Sequence, residues 1–231
     1  MSQSNSVPAH VGLILDGNRR WAREHDMPTL EGHRIGSDNL KEITKAAVNR
    51  GVKCVSAFIF STENWNRTPE EVKYLMDLAH RLLTRDVKEL KKENIKVVWL
   101  GSKRKVSKKL LKAIENAQQS TKNNTRGTLA LCFNYGGQDE LVDAARKLVA
   151  KGLNASEVTK AEFEKALYAP EIPPIDFLIR TSGEMRISGY MLYRVAYAEL
   201  YFADKYWPDF TEQDLEKALK DYANRKRRIG R

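Results

Sequence analysis

The sequence predicts an α/β fold, a single domain built on a central, mostly parallel sheet of six strands surrounded by helices. Three observations carry that prediction. Short apolar runs alternate along the chain with segments of helical period, joined by short connections, as in a parallel sheet wrapped by helices. The first of these runs, Val11 to Leu15, is continuously apolar, as strands covered on both faces are. Finally, Asp16, Ser61, Asn134 and Arg180 each follow a predicted strand, so a parallel sheet would gather them on the edge where open α/β folds bind ligands. With 231 residues, 42% of them hydrophobic, the chain can bury one sizeable core, and it contains no internal repeat.

The elements follow in order. Val11 to Leu15 is the first strand, and Gly17, Asn18, Arg19 and Arg20 turn from it into a helix start. Leu40, Ile43 and Ala47 line one side of a helix that stops at Gly51. Val52 to Phe60 is the second strand, and Ser61 to Arg67 is a polar connector. Thr68, Pro69 and Glu71 have the form of a capping box with proline at the first helical position, opening a long helix to about Glu93. Ile95 to Leu100 is a third strand. Ser107 caps a helix through Gln119, and Thr128 to Phe133 is a fourth strand ending in Asn134, Tyr135, Gly136 and Gly137. Gln138 to Gly152 reads as a helix, and Thr159 with Glu162 as a second capping box over a short one. Ile175 to Ile179 and Glu199 to Phe202 complete the strands, and Thr211 opens the last helix. Residues 1–9 read as a flexible leader and 220–231 as a basic tail.

Composition narrows the class of partner. A net charge of +10 calls for an anionic one, whether nucleic acid, an acidic membrane surface or a phosphorylated substrate. Cys54 and Cys132 each lie inside an apolar run, with neither a disulfide framework nor zinc spacing, so they read as reduced core residues of a cytoplasmic protein. The start, MSQSNSVPA, lacks a charged region followed by an apolar one, and no run reaches bilayer-spanning length, so membrane contact is expected to be peripheral.

The chemistry begins at Asp16. Backbone N–H groups at a helix start and two guanidinium groups favour a phosphate or diphosphate. A carboxylate among them is paradoxical unless a cation intervenes, and Mg²⁺, which takes one or two carboxylates together with substrate phosphate oxygens, resolves the paradox. Arg19, Arg20, Arg67, Arg180 and Arg186 would supply enough fixed charge for two diphosphates, in the planar form that suits phosphate oxygens. The bland alternative is a set of surface ion pairs with Glu63, Glu184 and Asp176.

The stretch HVGLILDGNRRWA, His10 to Ala22, closely resembles the first signature of the cis-prenyltransferases, the undecaprenyl diphosphate synthase family. FSTENWNR (Phe60 to Arg67), the turn Asn134 to Gly137, the segment from Ile179 to Phe202 with IRTSGE, RIS and AYAELYF, the PDF at Pro208 to Phe210 and the terminal Arg228-Ile229-Gly230 resemble further family segments in the right order. The resemblance covers nearly the whole chain. It implies a hydrophobic tunnel beside the long helix. It also implies an enzyme that condenses isopentenyl diphosphate with an allylic diphosphate, commonly farnesyl diphosphate, forming a cis double bond each cycle and releasing pyrophosphate.

Carried over residue by residue, the resemblance implies that Asp16 and Asn64 are catalytic. Gly17, Asn18, Arg19, Arg20, Trp21, His33, Ser61, Trp65 and Arg67 would bind the allylic diphosphate. Isopentenyl diphosphate would be held by Arg180, Arg186 and Ser188, and Mg²⁺ by Asp16 and Glu199. Arg228 and Gly230 would reach the neighbouring subunit's site, implying a homodimer. Product release would involve transient contact with membrane lipid, and nucleic acid would not be a partner.

The chain departs from the family pattern in places. Thr29 replaces an arginine, Arg19 stands where many bacterial members have glycine, Gly189-Tyr190 replaces Asn-Phe, and Tyr193-Arg194 replaces Trp-Gln. Ile59 stands where long-chain members carry alanine, which would shorten the product. Two other classes of function stay open at this point. One is a non-catalytic partner subunit of a two-chain transferase, against which Asp16 and the terminal Arg-Ile-Gly argue. The other is a nucleic-acid-binding module, whose binding would weaken steeply with salt and need no Mg²⁺.

Overall fold

The computed structural model describes residues 7–226. Arg228 and Gly230 therefore lie outside the described residues, as do most of the leader and the end of the basic tail. The sheet has six strands, β1 (His10–Ile14), β2 (Cys54–Ser61), β3 (Ile95–Leu100), β4 (Gly127–Tyr135), β5 (Phe177–Arg180) and β6 (Glu199–Phe202), in the spatial order β3-β4-β2-β1-β5-β6. Every pairing is parallel, where the sequence pattern indicated a mostly parallel sheet. The central strand β1 is buried at every position, as its continuous apolar run requires.

One face of the sheet packs on helices α2 (Thr29–Asn49), α3 (Pro69–Arg81), α5 (Lys108–Thr121) and α8 (Glu212–Asn224) through residues such as Leu40, Leu75, Ile114 and Leu215. The other face packs on the segment carrying Ile172, Ile175, Tyr190 and Met191. Helix α6 (Gly137–Ala150) joins α7 (Lys160–Ala166) through Ala144, Leu148 and Ala166. The cysteines are free and buried, Cys54 on β2 and Cys132 on β4, and burial raises both thiols, Cys54 to about 12.

Four local expectations change. The long helix is broken after α3 by a single π-turn, Leu82–Asp86, before continuing as α4 (Val87–Lys92). The connector after β2 is a 3₁₀ helix, Thr62–Asn66. Of the box expected at Thr68 and Glu71 only half forms: Thr68 Oγ1 accepts the Glu71 N–H at 3.3 Å, while the Glu71 carboxylate turns to basic side chains instead. At Thr159 the hydroxyl likewise accepts the Glu162 N–H, but the Glu162 carboxylate pairs with Lys165.

His10, at the start of β1, is fully buried. Its Nδ1 faces the carbonyls of Pro173 and Pro174 at 2.8 and 3.2 Å, so that nitrogen carries the proton. Nε2 then accepts from the Ser56 hydroxyl at 2.7 Å, which in turn accepts from the Tyr190 hydroxyl at 2.6 Å. Burial outweighs the raising effect of the two carbonyls and holds His10 at about pKa 4 against 6.5. The unfolded chain therefore binds a proton that the folded one refuses, and stability is lost as pH falls from about 6.5 towards 4. We expect a loss of about 3 kcal/mol over that window, read from urea midpoints, and a much flatter profile in His10→Asn.

Candidate active site

Of the four residues expected at the strand ends, Asp16 lines a cleft and Arg180 meets it through the Asp16 carboxylate, while Ser61 and Asn134 do not line it. It has a volume of about 400 Å³, with Asp16, Asn18, Arg19, Arg20, His33 and Arg67 around a polar mouth and Leu40, Phe58, Ile59, Leu75, Leu82 and Phe133 at its apolar end. Gly17 makes the first turn possible. Its φ of +100° is one that L side chains rarely adopt, and a Cβ there would lie 2.5 Å from the Tyr206 ring. The turn leads straight into α1 (Asn18–Glu24), whose first N–H groups have no earlier carbonyl of their helix to bond. Gly36 on α2 lets this turn sit close, since a Cβ there would meet Asn18 Oδ1 at 2.1 Å.

Asp16 is the hub. Its Oδ2 accepts from Arg180 Nη2 at 2.7 Å, and its Oδ1 accepts from the Gly17 N–H at 2.7 Å and Arg20 Nη2 at 3.2 Å. Burial alone would raise the Asp16 pKa, but the Arg180 hydrogen bond and charge, the Gly17 N–H and Arg20 together hold it below the usual carboxylate range. It is ionised at neutral pH. Arg180 is only 5% exposed and also donates from Nη1 to Ser188 Oγ at 2.9 Å and to the Arg186 carbonyl, while its Nε is buried with no partner. This buried guanidinium stands directly behind the Asp16 carboxylate that lines the cleft. Arg20 also donates to Ser182 Oγ at 2.6 Å and Glu184 at 2.9 Å.

A second basic group faces it across the cleft. Glu71, 9% exposed, holds Arg67 at 2.8 Å, His33 at 3.2 Å and Arg19 at 3.7 Å. Burial would raise Glu71, yet Arg67, His33 and Arg19 keep it ionised, with its pKa lowered. Burial and the neighbouring Arg67 push the His33 pKa below its ordinary value, so the ring is neutral at pH 7. Glu71 entered the sequence analysis only as a helix cap. Arg23, one turn after Arg19 on the same face of α1, also lines the cleft, and that i,i+4 spacing was its signal.

Several expected site residues point elsewhere. Trp21 is buried, and its indole N–H donates to Asp209 at 2.7 Å while its ring stacks on His25. Trp65 packs on Phe60 and donates to Asn134 Oδ1 at 2.7 Å. Asn64 lines the cleft, and its Oδ1 accepts the Ser61 N–H at 3.1 Å. The Arg186 side chain is 61% exposed and pairs with Glu184 at 2.5 Å, so its carbonyl, not its charge, meets Arg180. Glu199 lies in register with Phe177 at the start of β6, whereas Asp16 lies past the end of β1, whose Ile14 is in register with Arg180. Within one chain the two carboxylates thus occupy opposite edges of the sheet, and Glu199 is paired with Arg225 at 2.9 Å.

Asp16 is the single carboxylate among the residues lining this cleft, and no cluster of three metal-ligating side chains exists among the described residues. Asp16 surrounded by guanidinium groups fits an ion that arrives on phosphate oxygens and does not fit a resident ion held by protein alone.

Comparison with known proteins agrees with this geometry. The family model described as putative undecaprenyl diphosphate synthase matches residues 14–230. An isoprenyl transferase of Thermotoga maritima is 43% identical over 227 residues, covering 97% of each chain. A trans,polycis-polyprenyl diphosphate synthase of Thermobifida fusca, specific for (2Z,6E)-farnesyl diphosphate, is 40% identical across 97% of this chain and 81% of its own. Among solved structures, lavandulyl diphosphate synthase from Lavandula x intermedia, in complex with dimethylallyl diphosphate, superimposes with a TM-score of 0.95 at 35% identity over 99% of this chain and all of that one. An undecaprenyl diphosphate synthase described as probable, from Campylobacter jejuni, shares the fold, with a TM-score of 0.82 at 24% identity over 97% and 99% of the two chains.

Proposed function

We propose, on the premise that this chain belongs to the undecaprenyl diphosphate synthase family, that its cleft elongates an allylic diphosphate with isopentenyl diphosphate by cis-prenyl transfer. The observation that carries the reading is the polar mouth of Asp16, Arg19, Arg20, His33 and Arg67, with Arg180 bonded behind Asp16, opening onto an apolar cleft. That is the polarity of a prenyl diphosphate, charged at one end and hydrocarbon at the other.

Arg19, Arg20, Arg67 and neutral His33, with the backbone from Gly17 to Asn18, would bind the allylic diphosphate and orient its reacting carbon. Arg180 and Ser188, with Arg186 swung inward from its exposed pairing, would hold the isopentenyl diphosphate. As the allylic carbon–oxygen bond breaks, pyrophosphate leaves with the electron pair, the new carbon–carbon bond forms, and a proton is lost to leave the cis double bond. Asp16 would hold a Mg²⁺ ion shared with the diphosphate oxygens, and the chemistry such an ion would supply there is neutralisation of the charge on the departing diphosphate. Asn64, on the 3₁₀ helix after β2 and held by the N–H of Ser61 at the strand's end, lines the cleft where it could guide the departing proton.

A homodimer is part of the proposal. Strand β6 is a sheet edge with Leu200 38% exposed beside Tyr197 at 85%, and unpaired edges of this kind invite a partner. Since Glu199 lies on that edge, a second copy is what would bring it to a metal. Contact with membrane would be peripheral, because no helix among the described residues is long and apolar enough to cross one.

The test incubates purified protein with labelled isopentenyl diphosphate and, separately, geranyl, farnesyl or geranylgeranyl diphosphate, with Mg²⁺ or with EDTA. Label extending the primer with Mg²⁺ and not with EDTA supports the proposal. Failure with every primer, followed by activity on adding a second chain of the family, would instead make this a non-catalytic subunit.

A further inference from the structure

Asn134 stands outside the cleft, yet it binds together segments that carry two of the cleft's residues. It is the extra residue of a bulge, since Phe60 is in register with Phe133 and Ser61 with Tyr135. Its φ is +50°, in the left-handed region that asparagine tolerates better than most side chains. The residue is 2% exposed, and its amide is fully engaged. Nδ2 donates to the Ser102 and Arg104 carbonyls, both at 2.7 Å, and Oδ1 accepts the Trp65 indole N–H at 2.7 Å. Carbonyls only accept and an indole only donates, so one orientation of the amide satisfies all three. The Asn134 carbonyl also accepts the Ser102 N–H at 3.0 Å.

These bonds reach the cleft through the 3₁₀ helix Thr62–Asn66. Asn64 and Arg67 are three residues apart, so they fall on one face of such a helix, and both line the cleft. Trp65 lies round the helix from them. Its ring packs on Phe60 with centroids 5.2 Å apart, and Lys105, from the loop that Asn134 holds, places its Nζ 5.9 Å from the indole centre. A helix of five residues has too little stability of its own to fix its orientation, so its anchored indole does so. We infer that Asn134 is a positioning residue for the transfer reaction: by holding Trp65 it keeps Asn64 and Arg67 at the wall of the cleft. The inference rests on the prenyl-transfer reading above, in which Arg67 binds the allylic diphosphate and Asn64 guides the departing proton. Arg180 and Ser188, which that reading gives to isopentenyl diphosphate, are fixed instead by each other and by Asp16. Loss of Asn134 is therefore felt on the allylic side.

The test uses Asn134→Gly, which keeps the left-handed backbone and removes the amide. Calorimetric titration with an unreactive allylic thiolodiphosphate, and separately with isopentenyl diphosphate, measures binding without turnover. We expect allylic affinity to fall about tenfold or more, isopentenyl affinity to stay within about twofold, and kcat with Mg²⁺ to fall about ten- to a hundredfold, as small displacements of positioning groups do. In proton–nitrogen correlation spectra the four tryptophans each give an indole N–H peak, and the one absent from Trp65→Phe belongs to Trp65. In Asn134→Gly that peak should move upfield and its proton exchange faster with solvent. Trp65→Phe deletes the same donor and leaves the loop held, so it should weaken allylic binding in the same direction, and it carries the test should Asn134→Gly fail to fold. Combining the two should cost little more than the worse of them alone, since both cut one interaction. An unchanged allylic affinity in either folded variant, equal losses for both diphosphates, or additive losses in the double variant would overturn the inference. Selective loss of allylic binding beside a wild type that makes no product would uphold the positioning and count against the transfer reaction instead.

Discussion

Asp16→Asn should lower kcat by about a hundred- to a thousandfold while leaving the chain folded, since charge stabilisation of this kind is among the largest single effects in catalysis. The substitution keeps an oxygen to accept the Gly17 N–H, which the native carboxylate accepts at 2.7 Å, and so preserves the turn. What it removes is the anion paired with Arg180 and Arg20. The sign of the binding change is the sharper test. With EDTA, the asparagine variant should bind a diphosphate more tightly than the wild type, because Arg180 and Arg20 are released from their internal carboxylate and no like charge opposes the ligand. With Mg²⁺ the order should reverse, because only the carboxylate can share the ion. Calorimetric titration with an unreactive allylic thiolodiphosphate under both conditions measures this. Equal affinity of the two proteins with and without Mg²⁺ would remove Asp16 from the metal site.

How far the site was legible in the sequence depended on which question the chain answers locally. That Asp16 and Arg180 converge follows from strand ends in a parallel sheet, and β1 and β5 are indeed neighbours with Ile14 opposite Arg180. The same logic applied to Glu199 would have separated it from Asp16, since it begins its strand and they end theirs; resemblance to a motif conveys a residue type and not a sheet edge. Trp21 and Trp65 show a related limit. Their positions in sequence are those of a site, but a side chain's direction is set by partners far along the chain, Asp209 for one and Asn134 for the other. Glu71 was hidden by a competing local role, since a glutamate three residues after a threonine reads as a cap. The π-turn left no trace because the helical spacing of apolar residues from Val72 to Leu90 runs through it undisturbed.

Arg194 was legible only as a departure from a family pattern, yet it should give the largest loss of stability of any substitution considered. Its side chain is 4% exposed and meets Glu140, 1% exposed, at 2.9 Å. Arg194 Nη2 also donates to the Tyr168 and Ala169 carbonyls at 2.7 and 3.2 Å, and Nε donates to the Ile172 carbonyl at 3.2 Å. Glu140 in turn accepts from the Tyr168 N–H at 3.0 Å and the Tyr135 hydroxyl at 2.5 Å. One buried pair thus ties helix α6, the end of β4 and the segment 168–172 to the loop that ends at Arg194 and carries Ser188. Arg194→Met keeps the apolar stem but strands a carboxylate out of reach of water, which costs about 3–5 kcal/mol. Replacing both members, Arg194→Met with Glu140→Leu, removes the stranded charge and should recover part of that loss, because a buried pair is worth far less than the penalty for breaking it. Urea unfolding of the two variants distinguishes the cases, and a double variant no more stable than Arg194→Met would show that the carbonyl contacts, not the charge pair, dominate. The same disturbance should reach the cleft unevenly. Ser188 sits on the clamped loop, whereas Arg67 and His33 do not, so Arg194→Met should raise KM for isopentenyl diphosphate more than for the allylic substrate.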